Sequence, residues 1–381
     1  MKTTKVILVA LFICCISTTQ SLATNGMFME GYGPISHAMG GTSMAFDNGN
    51  NALVNNPATL GLASAGSRID VGFSILNPDV TWQTPGGNIS SNAKRFFMPS
   101  FGYVKRNGNF GYGIGMYSQG GMGTDYLEAA GMYSQVIMAK VIAPFTYNIN
   151  KNLIVGAAIE YIKIDMDLVM YPFFDFKDKS DFSGATSGNS ITGKLGFVYK
   201  INNNINVGAN YQFKGNIDTL KQSNSARVKG LDTPASASIG IAAKINDKTL
   251  LALDYSRIMW SDSMKTITVS QNDATMPFTQ EWKDQDVFAL GVEYEALSKL
   301  KLRAGVNIAN NPIKDNATPV FPAIIKNAYT TGFGYDISKG QSVNASYSFS
   351  PEVKKNNGLL FDGTSTTHRQ HTIQLMYTYK F

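Results

Sequence analysis

The sequence predicts an all-β protein: a 14-stranded antiparallel transmembrane β-barrel plugged by an N-terminal hatch. Three observations carry this expectation. The chain ends in a decapeptide, Thr372 to Phe381, in which Ile373, Leu375, Tyr377, Tyr379 and Phe381 share one parity, and Thr372, Gln374, Thr378 and Lys380 share the other. Successive strand side chains point to opposite faces, so this segment has one apolar and one mostly polar face, and it stops on an aromatic residue. From Ser67 onward about fourteen segments alternate in the same manner. Between them tight turns and long polar loops take turns, which suits a membrane barrel with an even strand count and which a soluble sandwich has no reason to adopt.

The chain opens with Lys2 and Lys5 ahead of an apolar run from Val6 to Ile16, followed by Ser21-Leu22-Ala23. This is the pattern of a secretory signal over residues 1–23, cleaved after Ala23. The run is shorter than the roughly 20 residues a spanning helix needs. Cys14 and Cys15 lie inside it, so the mature chain carries no cysteine, no disulfide and no thiol nucleophile. Only 16% of residues are charged. No later stretch reaches the length of a transmembrane helix, and lipid admits only helices and closed barrels. The formal charge of +6 falls to +4 without the two signal lysines, and the basic residues are scattered rather than gathered into a nucleic-acid footprint.

Residues 24–66 are rich in Gly, Asn and Ala and do not alternate for long, which suits either a periplasmic extension or a plug inside the barrel; the family resemblance given below implies that they are the hatch. Residues 67–381 form the barrel. The strands are expected near 67–82, 93–106, 109–118, 133–149, 152–168, 189–201, 205–216, 234–246, 249–261, 284–296, 299–310, 326–338, 341–351 and 368–381. Asn107-Gly108, Asn202-Asn203-Asn204, Asp247-Lys248 and Lys339-Gly340 suit tight hairpins. Longer loops fall near 83–92, 119–132, 169–188, 217–233, 262–283, 311–325 and 352–367. Fourteen strands enclose more space than side chains fill, which leaves room for a plug.

Several residues bear on chemistry. The loop after the fifth strand holds Tyr171, Pro172, Phe173, Phe174 and Phe176, an aromatic landing surface if exposed and ordinary packing if not. Val136, Met138, Ile142, Ile154 and Ile162 have inward parity, so the lumen is less polar than a general porin's. In the third strand Gly111, Gly113 and Gly115 share one face, which suits either a bend or a thin wall beside a plug. Arg303 and Lys301 face inward and would be available to a ligand carboxylate, although Lys194, Lys214 and Lys244 share that parity. Enzymatic chemistry is poorly provided for: His37, His368 and His371 are the only histidines, and no serine elbow precedes a helix. No metal-binding motif is present, and no cofactor is called for.

Three segments resemble the FadL family of outer-membrane channels for long-chain fatty acids and other hydrophobic compounds. They are Asn25-Gly26-Met27-Phe28 with Gly31-Tyr32-Gly33 and Met39 to Ala45, then Asn56-Pro57-Ala58, then Gly120-Gly121-Met122-Gly123-Thr124-Asp125-Tyr126 after the third strand. The resemblance implies a monomeric barrel in the bacterial outer membrane that passively transports hydrophobic small molecules such as fatty acids or aromatic hydrocarbons. External loops would capture the ligand, a lumen pocket closed by Met27 and Phe28 would hold it, and a wall opening made by an inward kink of the third strand would release it sideways. Asn56, Pro57 and Ala58 would brace or hinge the hatch. Outer-membrane lipid is the other implied partner. The alternative is a non-transporting structural or adhesive barrel.

Overall fold

The computed structural model describes residues 25–178, 182–222, 226–314 and 317–381. The expected signal segment lies outside them. Among the described residues fourteen long strands form the wall: β1 Gly66–Thr84, β2 Phe96–Asn107, β3 Phe110–Tyr126, β4 Met132–Asn148, β5 Leu153–Met170, β6 Thr186–Lys200, β7 Ile205–Gln212, β8 Ser236–Asn246, β9 Thr249–Ile258, β10 Gln285–Leu297, β11 Leu300–Ala309, β12 Ala328–Ser338, β13 Gln341–Asn356 and β14 Ser365–Lys380. Each pairs antiparallel with its neighbour, and β14 returns to β1 over an unbroken register from Arg68↔Lys380 to Gln83↔Ser365. The sheet therefore closes and satisfies its backbone within itself, as lipid requires.

The alternation in the sequence explains the two faces. Phe110, Tyr112 and Ile114 of β3, Ile159 and Tyr161 of β5, and Leu375, Tyr377 and Tyr379 of β14 point outward and form an apolar exterior. Val136, Met138, Ile142, Ile154 and Ile162 are buried on the inner face. The tight turns gather at one end, the periplasmic end of such barrels, and the long loops at the other.

Strand boundaries differ most at the long-loop end. β3 reaches Tyr126, whereas the alternation predicted its end at 118, so the glycine-rich run 120–126 is strand rather than loop. β13 likewise continues to Asn356. Above the membrane both faces of a strand meet protein, so the polar–apolar alternation that reveals strands in the sequence is lost. Short strands such as Phe174–Phe176, Thr266–Gln271 and Ala274–Thr279 fold the loops over this end.

The hatch fills the lumen with a short helix, Pro34–Ala38, and two 3-10 turns, Gly49–Leu53 and Pro57–Leu62. Small apolar clusters, such as Leu53 and Leu60 against Ile142 and Ala58 against Ile154 and Val198, and a set of polar contacts hold it. The Asp254 carboxylate accepts from the Ser43 and Met44 amides at 2.6 and 3.1 Å. The Asp70 carboxylate accepts from the Asn50 amide at 2.9 Å, and Asn50 Nδ2 donates to the carbonyls of Arg68 and Gly102 at 3.0 and 2.8 Å. The opposite half of the lumen is different: Trp260, Trp282, Phe174, Phe176, Phe278, Phe321, Met138 and Ile162 belong to one large apolar cluster beneath the long loops.

Candidate functional site

Among the described residues the wall is incomplete between β2 and β3. β2 and β3 pair from Asn107↔Phe110 up to Ser100↔Tyr117 and no further. Pro99 follows on β2, and proline brings no N–H to a ladder. Beyond it the ladder partners of Phe96–Pro99 lie on β1 and those of Ser118–Tyr126 on β4, with Ser118 Oγ donating to the Pro99 carbonyl at 3.3 Å across the lower margin. Higher still the edges meet again, the Asn92 amide donating to the Asp125 carbonyl at 2.8 Å and the Asp125 amide to Ser91 Oγ at 3.0 Å. The result is a window in the wall, framed above and below. At about 3.3 Å per residue it is roughly 20 Å tall.

The freed edge of β3 bends at a register shift between Ser118 and Gly120. Gly120 and Gly121 adopt φ of 156° and 157°, which side-chain-bearing residues rarely do. From inside the lumen the first hatch residues approach this edge. Phe28 forms a bridge with Gly120, and the Gly121 amide donates to the Met27 carbonyl at 3.0 Å. The approach is close: a Cβ at Gly120 would lie 2.0 Å from the Met27 carbonyl oxygen. The hatch tail thus supplies a hydrogen-bond partner where β2 supplies none.

A cavity of about 1000 Å³ lies at the window. Phe97, Met116 and Ile137 line it toward the lipid, and Met27, Phe28 and Ala323 line it in the lumen. Its lining is mainly apolar, with Gln135, His368 and Gln370 at the inner wall and Arg95 and Lys177 at the outer rim. His368 Nδ1 donates to the Pro322 carbonyl at 2.8 Å. Behind the cavity Phe28 packs against Trp260 with ring centroids 5.0 Å apart, and Trp260 against Trp282 at 5.0 Å.

The structure separates the residues singled out from the sequence. Met27 and Phe28 lie on the cavity. Gly111, Gly113 and Gly115 sit below it in the part of β3 that pairs with β2, where Cβ atoms at Gly113 and Gly115 would lie 3.2 and 3.1 Å from Leu53 of the hatch. Asn56, Pro57 and Ala58 abut β5 and β6. The Ala58 amide donates to Asn56 Oδ1 at 3.1 Å, and Asn56 Nδ2 donates to the Met44 and Phe197 carbonyls at 2.8 and 3.2 Å. Arg303 is remote from the cavity, near the tight-turn end, where its guanidinium donates to Glu293 at 2.7 Å and to Asn344 at 2.9 Å. Lys301 also binds Glu293, at 2.9 Å. The loop aromatics divide: Tyr171 and Phe173 are 60% and 53% exposed, whereas Phe174 and Phe176 are 1% and 2% exposed within the apolar cluster.

Sequence reasoning missed Pro99, Trp260 and Trp282, and placed Gly120 and Gly121 in a loop after the third strand. The Gly-Gly pair was visible in the sequence, but nothing there showed that the strand continues through it. It also did not foresee that His37 Nδ1 would lie 2.8 Å from Ser346 Oγ, with Glu30 Oε2 3.8 Å from its Nε2. Burial pushes the Glu30 carboxyl up and holds the His37 imidazole neutral, with its pKa lowered to about 3. The three side chains are buried between hatch and wall and border no part of the cavity, so their geometry braces the plug rather than serving a substrate.

Comparison with known proteins agrees with this architecture. Residues 14–380 match the family model described as outer membrane protein transport protein (OMPP1/FadL/TodX). The crystal structure of the Pseudomonas putida toluene transporter TodX superposes with a TM-score of 0.81 at 24% identity, covering 92% of this chain and 99% of that one. An uncharacterised protein of Chlorobium limicola is 49% identical over 80 residues, 20% of this chain and 39% of its own length. A putative outer membrane protein of Neisseria meningitidis serogroup B is 25% identical over 238 residues, 49% of this chain and 50% of its own. The chain thus spans half or less of the length of these two relatives.

Proposed function

The chain belongs to the outer membrane transport protein family (OMPP1/FadL/TodX), and on that premise we propose that it passively admits hydrophobic small molecules, monoaromatic hydrocarbons or long-chain fatty acids, and releases them sideways through its wall. The observation that carries this reading is the mainly apolar cavity that runs from Met27 and Phe28 to the lipid-facing Phe97 and Met116. An apolar solute gains roughly 25 cal/mol per Å² of apolar surface it buries, so it follows greasy walls rather than water. Exposed Tyr171 and Phe173 would receive it from outside. The pocket beside Met27 and Phe28 would hold it, and the gap between β2 and β3 would pass it into the membrane. The lower, hydrogen-bonded hatch would deny it a route to the periplasm. TodX is a toluene transporter, and the apolar pocket here suits a solute of that kind.

The test is uptake of labelled toluene and labelled hexadecanoate by cells with and without the protein at matched surface expression. Uptake should rise with the protein for at least one solute. Gly120→Val, whose side chain would displace the Met27 carbonyl, should cut that uptake about tenfold, a penalty of about 1.4 kcal/mol. Equal uptake with and without the protein, particularly alongside loop-dependent adhesion, would favour the adhesive barrel instead.

A further inference from the structure

The long-loop end of the barrel carries a small sheet of its own. Strands Leu220–Lys221, Arg227–Lys229, Thr266–Gln271 and Ala274–Thr279 pair in that order, and Lys221 joins them to Ser187 of β6. Alternation sorts their two faces. Leu220, Val228, Ile267, Val269 and Phe278 turn inward and are buried in the apolar cluster. Lys221, Arg227 and Lys229 take the other parity and are exposed. The register gathers them: Lys221 stands directly opposite Arg227, and Arg227 and Lys229 are alternate residues of one strand. Directly opposed residues have Cβ atoms about 4.5–5.5 Å apart, and like charges so placed destabilise the pair. Beside them the same face offers hydroxyls and no carboxylate: Ser187 faces Lys221, Ser270 faces Arg227 and Thr268 faces Lys229. Other cations of these loops are matched, Lys163 with Asp165 at 2.7 Å and Lys214 with Asp232 at 2.9 Å. Among the described residues the side chains of Lys221, Arg227 and Lys229 have no ion-pair or hydrogen-bond partner.

This face continues the lipid-facing side of the wall. Ser187 shares the parity of exposed Ile191, Leu195 and Phe197 on β6, and Lys221 lies directly beside it. At about 3.3 Å per residue and a tilt of roughly 40°, Ser187 stands about 33 Å above the tight-turn end of β6, past an apolar band about 25 Å tall. The three cations therefore look outward at the depth of the outer-leaflet headgroups. We propose that they bind the phosphate groups of a phosphorylated glycolipid of that leaflet. The arginine fork and the two lysine ammonium groups are donors suited to phosphate oxygens. A phosphate between Lys221 and Arg227 also relieves the repulsion that the register imposes, and basic clusters at headgroup depth attract anionic lipid. The exposed apolar residues of β6 below supply a wall for acyl chains, which a soluble anion would not use. The site lies apart from the window between β2 and β3 and is independent of whatever passes through it.

The experiment is native mass spectrometry of the full chain in detergent, titrated with bisphosphorylated lipid A, with its dephosphorylated form and with its deacylated, water-soluble form. The phosphorylated lipid should bind about tenfold more tightly than either of the other two, the effect of between one and two effective cations at an anionic headgroup. The triple variant Lys221→Gln, Arg227→Gln and Lys229→Gln should lose that advantage. The equally neutralised variant Lys151→Gln, Lys200→Gln and Lys248→Gln, altered at the tight-turn end, should keep it. Heat-dependent mobility in gels checks that each variant is a folded barrel. The proposal is overturned if the dephosphorylated lipid binds the unaltered protein equally well, or if the first triple variant weakens binding no more than the second. Equal binding of the deacylated form also overturns it, since the face would then be a soluble-anion site.

Discussion

The two halves of the barrel's interior differ in how much directional bonding holds them together, small apolar clusters such as Leu53 and Leu60 against Ile142 notwithstanding. Toward the periplasm, hatch and wall are joined by directional bonds: Asp254 to the Ser43 and Met44 amides, Asn50 to both β1 and β2, and Thr330 Oγ1 accepting from the Gly40 amide at 2.9 Å. Toward the outside, the filling is apolar and aromatic, centred on Trp260, Trp282, Phe278 and Phe321. Directional bonds fix a unique arrangement and penalise any opening, because each buried group left unpaired costs about 1–3 kcal/mol. Apolar packing is non-directional, so a guest of similar chemistry can replace part of it. The division of the lumen is therefore a division between a stopper and a solvent.

This contrast can be attacked from either side. The largest expected effect is in the apolar half, where Trp260→Ala removes a fully buried ring and its contacts with Phe28 and Trp282. It should cost about 3–5 kcal/mol of stability in denaturant titration. Ion conductance in planar bilayers should stay at the unaltered level, because the stopper below is untouched. An ion leak in this variant would show that the halves are not separable. Asp254→Ala is the counterpart below. It strands two hatch amides, should cost about 1–3 kcal/mol, and should raise ion leak while leaving hydrophobic ligand binding unchanged.

The smallest effect sharpens the polar half by pH. His37 stays neutral in the folded chain down to about pH 3, whereas the unfolded chain binds its proton near 6.5. The unfolded state thus holds more protons between those values, and stability falls as pH drops through them. At pH 5 the loss amounts to about 2 kcal/mol. Glu30 acts in the opposite sense: its pKa is raised by burial, so its contribution declines as pH rises above 4.5. His37→Asn should remove the acid-side loss. Thermal unfolding of both proteins at pH 5 and pH 7 checks this, and an unchanged acid-side slope in the variant would refute it.

The wall was legible in the sequence because lipid and lumen impose opposite chemistries on alternate residues. Ile373, Leu375, Tyr377 and Tyr379 announce their face without reference to any other part of the chain. The window was not legible, because it is an absence of pairing between Phe96–Pro99 and Ser118–Tyr126, and pairing is a relation between segments. Asp254 was equally hidden: its partners lie 210 and 211 positions away. Arg303 shows the converse case. Its inward parity was readable, but its engagement with Glu293 on the adjacent strand and with Asn344 two strands away was not. The loop aromatics could not be sorted because exposure there depends on a short strand, Phe174–Phe176, pairing back onto β5.

The meeting of β1 and β14 has a bearing on how the molecule is made. Asn50 binds β1, while Gln374 of β14 donates to the Gly31 carbonyl at 3.1 Å. The amino-terminal segment therefore straddles the joint between the earliest and latest strands synthesised. A cylinder sealed around nothing would have to admit a folded stopper through its own lumen. Sealing around a stopper already in place needs no such passage, and the same contacts then draw the two edges together. The joint is in this sense a lid fastened over its contents, and assembly order is written into which residues touch across it.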